Sequence, residues 1–131
     1  MTSSQEIGVL SPPDVRVDLR VDAQPGQRGE GSRFRVHVKV ENHGERAVRL
    51  LSRCWKLIDA DHRVAELRGP CVAGQRPELL PGARYDFAST VHLATEWGSF
   101  EGNFRVLDAA GGLLEVEIER HMLSAAAPVL A

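Results

Sequence analysis

The feature that most constrains this fold is a strict alternation of apolar and polar side chains. Residues 15–22 and 34–40 place an apolar residue at every second position, and residues 85–93 follow the pattern with the odd positions inward. Successive side chains of a β-strand point to opposite faces, so each stretch predicts a half-buried strand. No helical period of 3.6 is sustained for ten residues, which favours an all-β chain.

The rest of the chain also divides into short strands and turns. Residues 48–58 are apolar, but the alternation slips around Leu50 and Leu51, which predicts a β-bulge or a change of sheet. Further strands are predicted at residues 63–67, 100–107 and 113–118. Connections rich in turn-forming residues are predicted at residues 24–31, 59–62, 68–82, 95–98 and 108–112.

Many short strands with turns every 8–12 residues are typical of an antiparallel β-sandwich of the immunoglobulin or fibronectin type III class. No Cys-Trp-Cys pattern has the spacing of antibody domains, so the expected likeness is one of architecture. The 131 residues fit one domain. We expect a flexible lead-in at residues 1–13, the sandwich at residues 14–124 and a tail at residues 125–131.

Charge, hydrophobicity and cysteine content limit the partners and the cellular compartment that we expect for this chain. Lysine plus arginine number 16 and aspartate plus glutamate 18, and this net charge of −2 argues against general nucleic-acid binding. No apolar stretch is long enough to span a membrane, and the first residues lack the features of a signal peptide. Two cysteines 17 positions apart do not indicate a disulfide framework, so we expect reduced thiols and a cytoplasmic location.

One loop contains glycines at positions typical of a phosphate-binding motif. Gly69, Cys71 and Gly74 have the spacing of a dinucleotide-binding motif, with a cysteine at its middle glycine. That motif needs a following helix, and the prolines after this loop leave none. Two interpretations stay open. The glycines serve an ordinary crossover loop, or the loop binds an anion such as pyrophosphate with charge from Arg68, Arg76 or Arg84.

Other polar residues do not form a recognisable reactive set. The five histidines lack metal-ligand spacing and are interpreted as surface residues: His37, His43, His62, His92 and His121. Cys54, beside Trp55 in an apolar run, is interpreted as a core or half-core residue, and Cys71 is the more plausible reactive thiol. No nucleophile and base pair can be placed, so we expect no enzyme, no catalytic or metal residues and no cofactor.

The turn at residues 95–100 is a candidate protein contact. Trp97 lies there between Glu96 and Gly98, and a solvent-facing tryptophan is often an interface anchor. The alternative is a tryptophan folded back over the end of the sandwich. We expect a protein partner for Trp97 and Glu96, and we allow for a homodimer.

Several segments together resemble the ApaG domain family. In chain order they lie at residues 50–55, 59–64, 72–77, 80–89, 93–95 and 98–104. The resemblance extends over roughly residues 14–124. The family's glycine-rich motif is matched at Gly69, Val72, Gly74 and Pro77 and departs from it at Cys71 and Ala73. A proline common in the family after Thr95 is replaced by Glu96 and Trp97.

The resemblance implies an immunoglobulin or fibronectin type III sandwich, in agreement with the strand pattern. It also implies a small bacterial protein, since most members are bacterial, while eukaryotic members carry the domain as a protein-interaction module. The bacterial gene context implies links to diadenosine tetraphosphate metabolism and to cobalt and magnesium tolerance. The sequence therefore predicts a non-catalytic binding module, with phosphate binding or a role in divalent-cation tolerance as the alternative.

Overall fold

The computed structural model describes residues 11–24, 31–70 and 74–125, and these form an all-β structure. Eight strands follow in chain order: β1 (Val15–Gln24), β2 (Ser32–Asn42), β3 (Val48–Asp59), β4 (Val64–Pro70), β5 (Glu78–Leu79), β6 (Arg84–Leu93), β7 (Trp97–Asp108) and β8 (Leu113–Ser124). The predicted all-β fold class is confirmed. In the described part of the chain no helix is long and apolar enough to cross a membrane.

The strands form two antiparallel sheets. Sheet A has the order β1-β2-β6, and sheet B has the order β4-β3-β7-β8, with β5 paired to the start of β3. The predicted alternation explains sheet A directly, because the odd or even apolar positions of its three strands all face sheet B. The two sheets therefore enclose one core between them, as the prediction of a sandwich requires.

Aromatic side chains fill the middle of the core. Trp55 is fully buried and stacks on Phe87, with ring centroids 6.3 Å apart. Phe100 and Phe104 meet the same indole edge-on, at 5.1 and 6.2 Å. Such edge-to-face contacts are favourable beyond the area that they bury. Three of these four rings belong to sheet B, so sheet B supplies most of the aromatic packing.

Two irregularities interrupt sheet B. The pairing of β3 with β7 shifts between Leu50 and Ser52, which confirms the bulge predicted from the slipped alternation. The carbonyl of Pro77 accepts a hydrogen bond from the Leu50 amide at 2.9 Å, and Arg76 Nε donates to the Leu51 carbonyl at 3.1 Å. The pairing of β7 with β8 shifts again between Phe100 and Gly102.

Several predicted boundaries were wrong. Strand β4 ends at Pro70 and β5 lies at Glu78–Leu79, both inside the predicted loop at residues 68–82. Strand β7 begins at Trp97, three residues before the prediction, and β8 continues to Ser124 rather than ending at Ile118. Pairing with neighbouring strands extends these segments beyond their own alternation. Most of the predicted turn at residues 24–31 and most of both predicted tails lie outside the described residues.

The end of the sandwich at Asp108 is fixed by buried polar contacts. Arg46 Nε and an Arg46 terminal nitrogen donate to the Asp108 carboxylate at 2.9 and 2.8 Å. This hydrogen-bonded guanidinium holds the pKa of Asp108 below its ordinary value. Asn42 Nδ2 donates to the carbonyls of Leu79 and Arg46. These bonds tie the connection between β2 and β3 to both sheets.

Candidate functional site

The charged residues of the predicted anion loop are engaged with neighbours. Arg68 forms an ion pair with Glu66 at 2.8 Å, and Arg84 forms one with Asp86 at 3.2 Å. Arg76 is bonded to the main chain at the β3 bulge. Gly69 is a residue of β4, Gly74 has a φ of +82°, and Cys71 lies outside the described residues. Anion binding at this loop stays a prediction.

The histidines do not assemble into a metal centre within the described residues. No group of three or more histidine, cysteine, aspartate or glutamate side chains comes together there. His37 Nε2 lies 3.0 Å from Asp22 Oδ2, and His43 Nε2 lies 3.3 Å from Glu41 Oε1. Cys54 is half-buried with a free thiol, and its position next to the core residue Trp55 places it on the outer face of sheet B.

Trp97 is exposed, as one of the two interpretations predicted. It is the first residue of β7 rather than a turn residue, and 51% of its surface is accessible. The Thr95 hydroxyl donates to the Trp97 carbonyl at 2.7 Å. The Glu96 side chain is exposed, and the Glu96 carbonyl accepts a hydrogen bond from the Ala125 amide. The turn before Trp97 is therefore held in place at its main chain.

Strand pairing places other apolar side chains at the end of sheet B that carries Trp97. Ile58 of β3 is paired with Val64 of β4 on one side and with Ser99 of β7 on the other, and Ser99 is paired with Met122 of β8. Val64 and Met122 are 58% and 65% exposed. We call the half-buried Ile58 and the exposed apolar residues at this end of sheet B the apolar patch: Ile58, Val64, Trp97 and Met122. Each of four strands contributes one of them.

A cavity of about 250 Å³ lies within the apolar patch. Its floor is the buried Ser99, and its walls include Trp97, Met122 and Arg120. Asp59 and His62 close it on the side of the turn after β3. The small serine between larger neighbours creates the cavity, which has the size of one or two apolar side chains.

The turn after β3 is held rigidly beside this cavity. The Asp59 carboxylate accepts hydrogen bonds from the amides of Asp61 and Arg63, both at 2.9 Å, and from Arg63 Nε at 2.9 Å. These bonds, above all the one from the Arg63 amide, hold the pKa of Asp59 below its ordinary value despite its burial. His62 has a positive φ of 65° in the same turn.

Charged residues form a second row next to the apolar patch. Lys56 of β3 is paired with Glu66 of β4 and with Glu101 of β7. Arg120 of β8 donates to Glu101 Oε1 at 3.1 Å. The ion pair with Arg68 lowers the pKa of Glu66. We call this set the charged row: Glu66, Lys56, Glu101 and Arg120. Its charges alternate in sign across the sheet.

The outer face of sheet A has a different character. A cavity of about 540 Å³ lies over it, bordered by charged side chains that include Asp18, Lys39 and Asp86. Lys39 Nζ lies 3.5 Å from Asp18 Oδ2. Among the described residues, no large exposed apolar side chain belongs to a strand of sheet A. This cavity is larger than the one beside Trp97, and charged side chains surround it rather than large exposed apolar ones.

The sequence pointed to Trp97, with its neighbour Glu96, and did not point to the other three members of the patch. Ile58, Val64 and Met122 lie on strands that are distant in sequence, and their proximity depends on the pairing of β4, β3, β7 and β8. The one available signal for each was the apolar residue itself, since no solvent-facing position was predicted for any of the three. Single exposed apolar residues are common, so this signal is weak.

These features define a small all-β sandwich domain with an exposed apolar patch on one sheet. The ApaG domain model matches residues 24–108, and the chain belongs to that family. The resemblance seen in the sequence is therefore confirmed.

Relatives and solved structures agree with this assignment. An ApaG protein of Pseudomonas paraeruginosa is 37% identical over 106 residues, which cover 80% of this chain and 84% of the relative. One from Rhodospirillum centenum is 39% identical over 108 residues, which cover 79% and 82%. A crystal structure of a Bordetella pertussis protein described as ApaA has a TM-score of 0.82 at 30% identity, and covers 88% of this chain and 96% of that one.

Proposed function

We propose that this protein is a non-catalytic binding module that binds other protein surfaces through the apolar patch. The observation that carries this proposal is the convergence of one apolar side chain from each of four strands at one end of sheet B, three of them more than half exposed. Tryptophan and methionine are both enriched in protein interfaces, and a central tryptophan often contributes most of the binding energy.

The geometry of the patch favours a protein partner. Its residues lie on paired strands, so binding orders little main chain and costs little conformational entropy. The cavity beside Trp97 accepts an apolar side chain, and Arg120 and His62 at its border offer hydrogen bonds. An apolar centre with a polar border is the usual anatomy of a protein interface.

Affinity capture with matched variants tests the proposal. The immobilised wild-type chain, Trp97→Ala and Leu113→Ala are exposed to an extract of the native cells, and the captured proteins are compared. Leu113 is a suitable control, because it is 61% exposed and lies at the other end of the same sheet. We expect capture by the wild type and by Leu113→Ala, and loss of capture by Trp97→Ala.

The captured protein is then purified and titrated into each variant by calorimetry. Loss of the tryptophan is expected to weaken binding by roughly tenfold to a hundredfold, the range typical of an interface anchor. Equal affinity of the purified partner for the wild type and for Trp97→Ala would show that the patch is not the binding surface.

A further inference from the structure

We infer that the outer face of sheet B also binds a second copy of this chain. The two copies face each other across a twofold axis that lies between them, parallel to the strands and above the boundary of β3 and β7. The inference rests on the proposed function, because it names a partner for the same surface. It draws on the arrangement of charge across the whole face, which the proposed function does not use.

The order of the strands makes the face suitable for such an axis. Sheet B has two central strands, β3 and β7, flanked by β4 and β8. A twofold rotation about an axis between the central strands places β4 over the partner's β8 and β3 over the partner's β7. Sheets packed face to face lie about 10 Å apart, a distance that opposed side chains span.

Under this rotation every charge of the charged row meets its opposite. Glu66 lies opposite the partner's Arg120, and Lys56 lies opposite the partner's Glu101. Twofold symmetry repeats each of these pairs, so the row supplies four attractive contacts. Two identical surfaces usually repel where their charges coincide, and here the alternation of sign across the sheet prevents that.

The next row of the sheet follows the same rule. Cys54 is paired with Arg68 of β4 and with Asn103 of β7, and Asn103 is paired with Glu117 of β8. The rotation places Arg68 opposite the partner's Glu117. Between these charges lie the half-buried Cys54 and Asn103, which are small enough to allow close approach.

The apolar patch supplies the attraction that the charges alone do not. Val64 meets the partner's Met122, and Ile58 lies over the partner's Ser99, which forms the floor of the cavity. Burial of this apolar surface favours association, and the charges fix the register. The outer face of sheet A lacks exposed large apolar residues among those described, so its burial would remove charges from water without that gain.

Sedimentation velocity with charge-reversed variants tests the inference. The wild-type chain is expected to dimerise with increasing concentration. Glu66→Arg and Arg120→Glu each place like charges together, and each is expected to weaken the dimer by roughly tenfold or more. An equimolar mixture of the two variants restores both contacts and is expected to form a heterodimer. The double variant Glu66→Arg/Arg120→Glu is expected to dimerise with itself.

Two controls separate the interface from the fold. Circular dichroism establishes that each variant keeps the β structure. Asp18→Arg reverses a charge on the exposed face of sheet A and is expected to leave the dimer unchanged. Recovery in the mixture cannot result from misfolding, since both chains still carry their substitutions.

A wild-type chain that stays monomeric up to about millimolar concentration would overturn the inference. So would a mixture that fails to recover, or an Asp18→Arg chain that loses the dimer as fully as Glu66→Arg does. A monomeric wild type that still captures another protein through Trp97 would refute the second copy and keep the proposed function. A wild type that neither dimerises nor captures another protein through Trp97 would refute both the second copy and the proposed function.

Discussion

The two sheets of this sandwich show how register determines what a protein surface presents. Sheet A pairs without interruption from Val15 to Gln24 and from Ser32 to Glu41, so its alternation separates apolar residues from charged ones. Sheet B contains two register shifts, and its outer face carries apolar residues. The regular sheet has a charged outer face, and the irregular sheet has the apolar patch.

The bulges themselves account for this difference. Leu50 and Trp55 are five residues apart and both are buried, which an unbroken strand does not allow. The bulge between them reverses the alternation and directs Ile58 outward. Ile118 and Leu123 are also five apart and both buried, and the second bulge directs Met122 outward. Two of the four patch residues therefore depend on bulges.

The two tryptophans give the largest expected contrast within sheet B. Trp55 packs against three aromatic rings in the core, whereas Trp97 is half exposed. We expect Trp55→Ala to lower the free energy of unfolding by about 3–5 kcal/mol. We expect Trp97→Ala to lower it by less than about 1 kcal/mol. Urea denaturation of both variants measures these values, and a collapse of Trp97→Ala would place Trp97 in the core.

Much of this architecture could be predicted from the sequence, because apolar side chains recur at every second residue in a strand with one buried face. The pattern located β1, β2 and β6, and the slip at Leu50 and Leu51 indicated the first bulge. The second bulge was missed because only residues 113–118 were read as the last strand. The five-residue spacing of Ile118 and Leu123 was its available signal.

The patch was less predictable than the fold. Trp97 and Glu96 were identified from an apparent turn, but the pairing that brings Val64 and Met122 to the same surface joins strands far apart in the chain. A local pattern contains no information on which strands become neighbours. Strand β5 was missed for a similar reason, since its two residues are defined by pairing with β3.

The close approach of β7 to β3 can be tested at Gly102, which lies opposite Trp55 and beside the second bulge. A Cβ atom there would clash with the Cys54 carbonyl oxygen, so the paired strands could not remain in place. We expect Gly102→Ala to destabilise the protein by about 2–3 kcal/mol. Gly112→Ala is the control, because a Cβ at that position meets nothing within 4 Å. Equal stability of the two variants would show that the close approach of β7 to β3 at Gly102 does not contribute to the stability of the fold.

Acid denaturation tests the buried carboxylate at the end of sheet B farthest from the patch. The hydrogen-bonded Arg46 lowers the pKa of Asp108 in the folded state, so the charged form stabilises folding. The stabilisation by the charged carboxylate is fully present at pH values well above its ordinary pKa of 3.8. It is lost as the pH falls through the lowered pKa of the folded state. We expect Asp108→Asn to be less stable than wild type near pH 6, with the two stabilities converging in acid.

Thermal unfolding from pH 7 to pH 2 measures this convergence. Asp86→Asn, on the exposed face of sheet A, controls for the loss of one surface carboxylate. Parallel curves for wild type and Asp108→Asn would show that Asp108 contributes nothing that depends on its charge.

The smallest effect is expected on the outer face of sheet A. Lys39 and Asp18 lie 3.5 Å apart, and their side chains are 39% and 71% exposed, so water screens their attraction and the side chains lose entropy when they pair. We expect Lys39→Ala to change the free energy of unfolding by at most about 0.5 kcal/mol, with no effect on capture through Trp97. Urea denaturation and calorimetry measure both quantities. The core contacts of Phe34, Val36, Val38 and Val40 already account for the place of sheet A in the sandwich. A large loss of stability in Lys39→Ala would instead mean that surface charges hold this sheet in place.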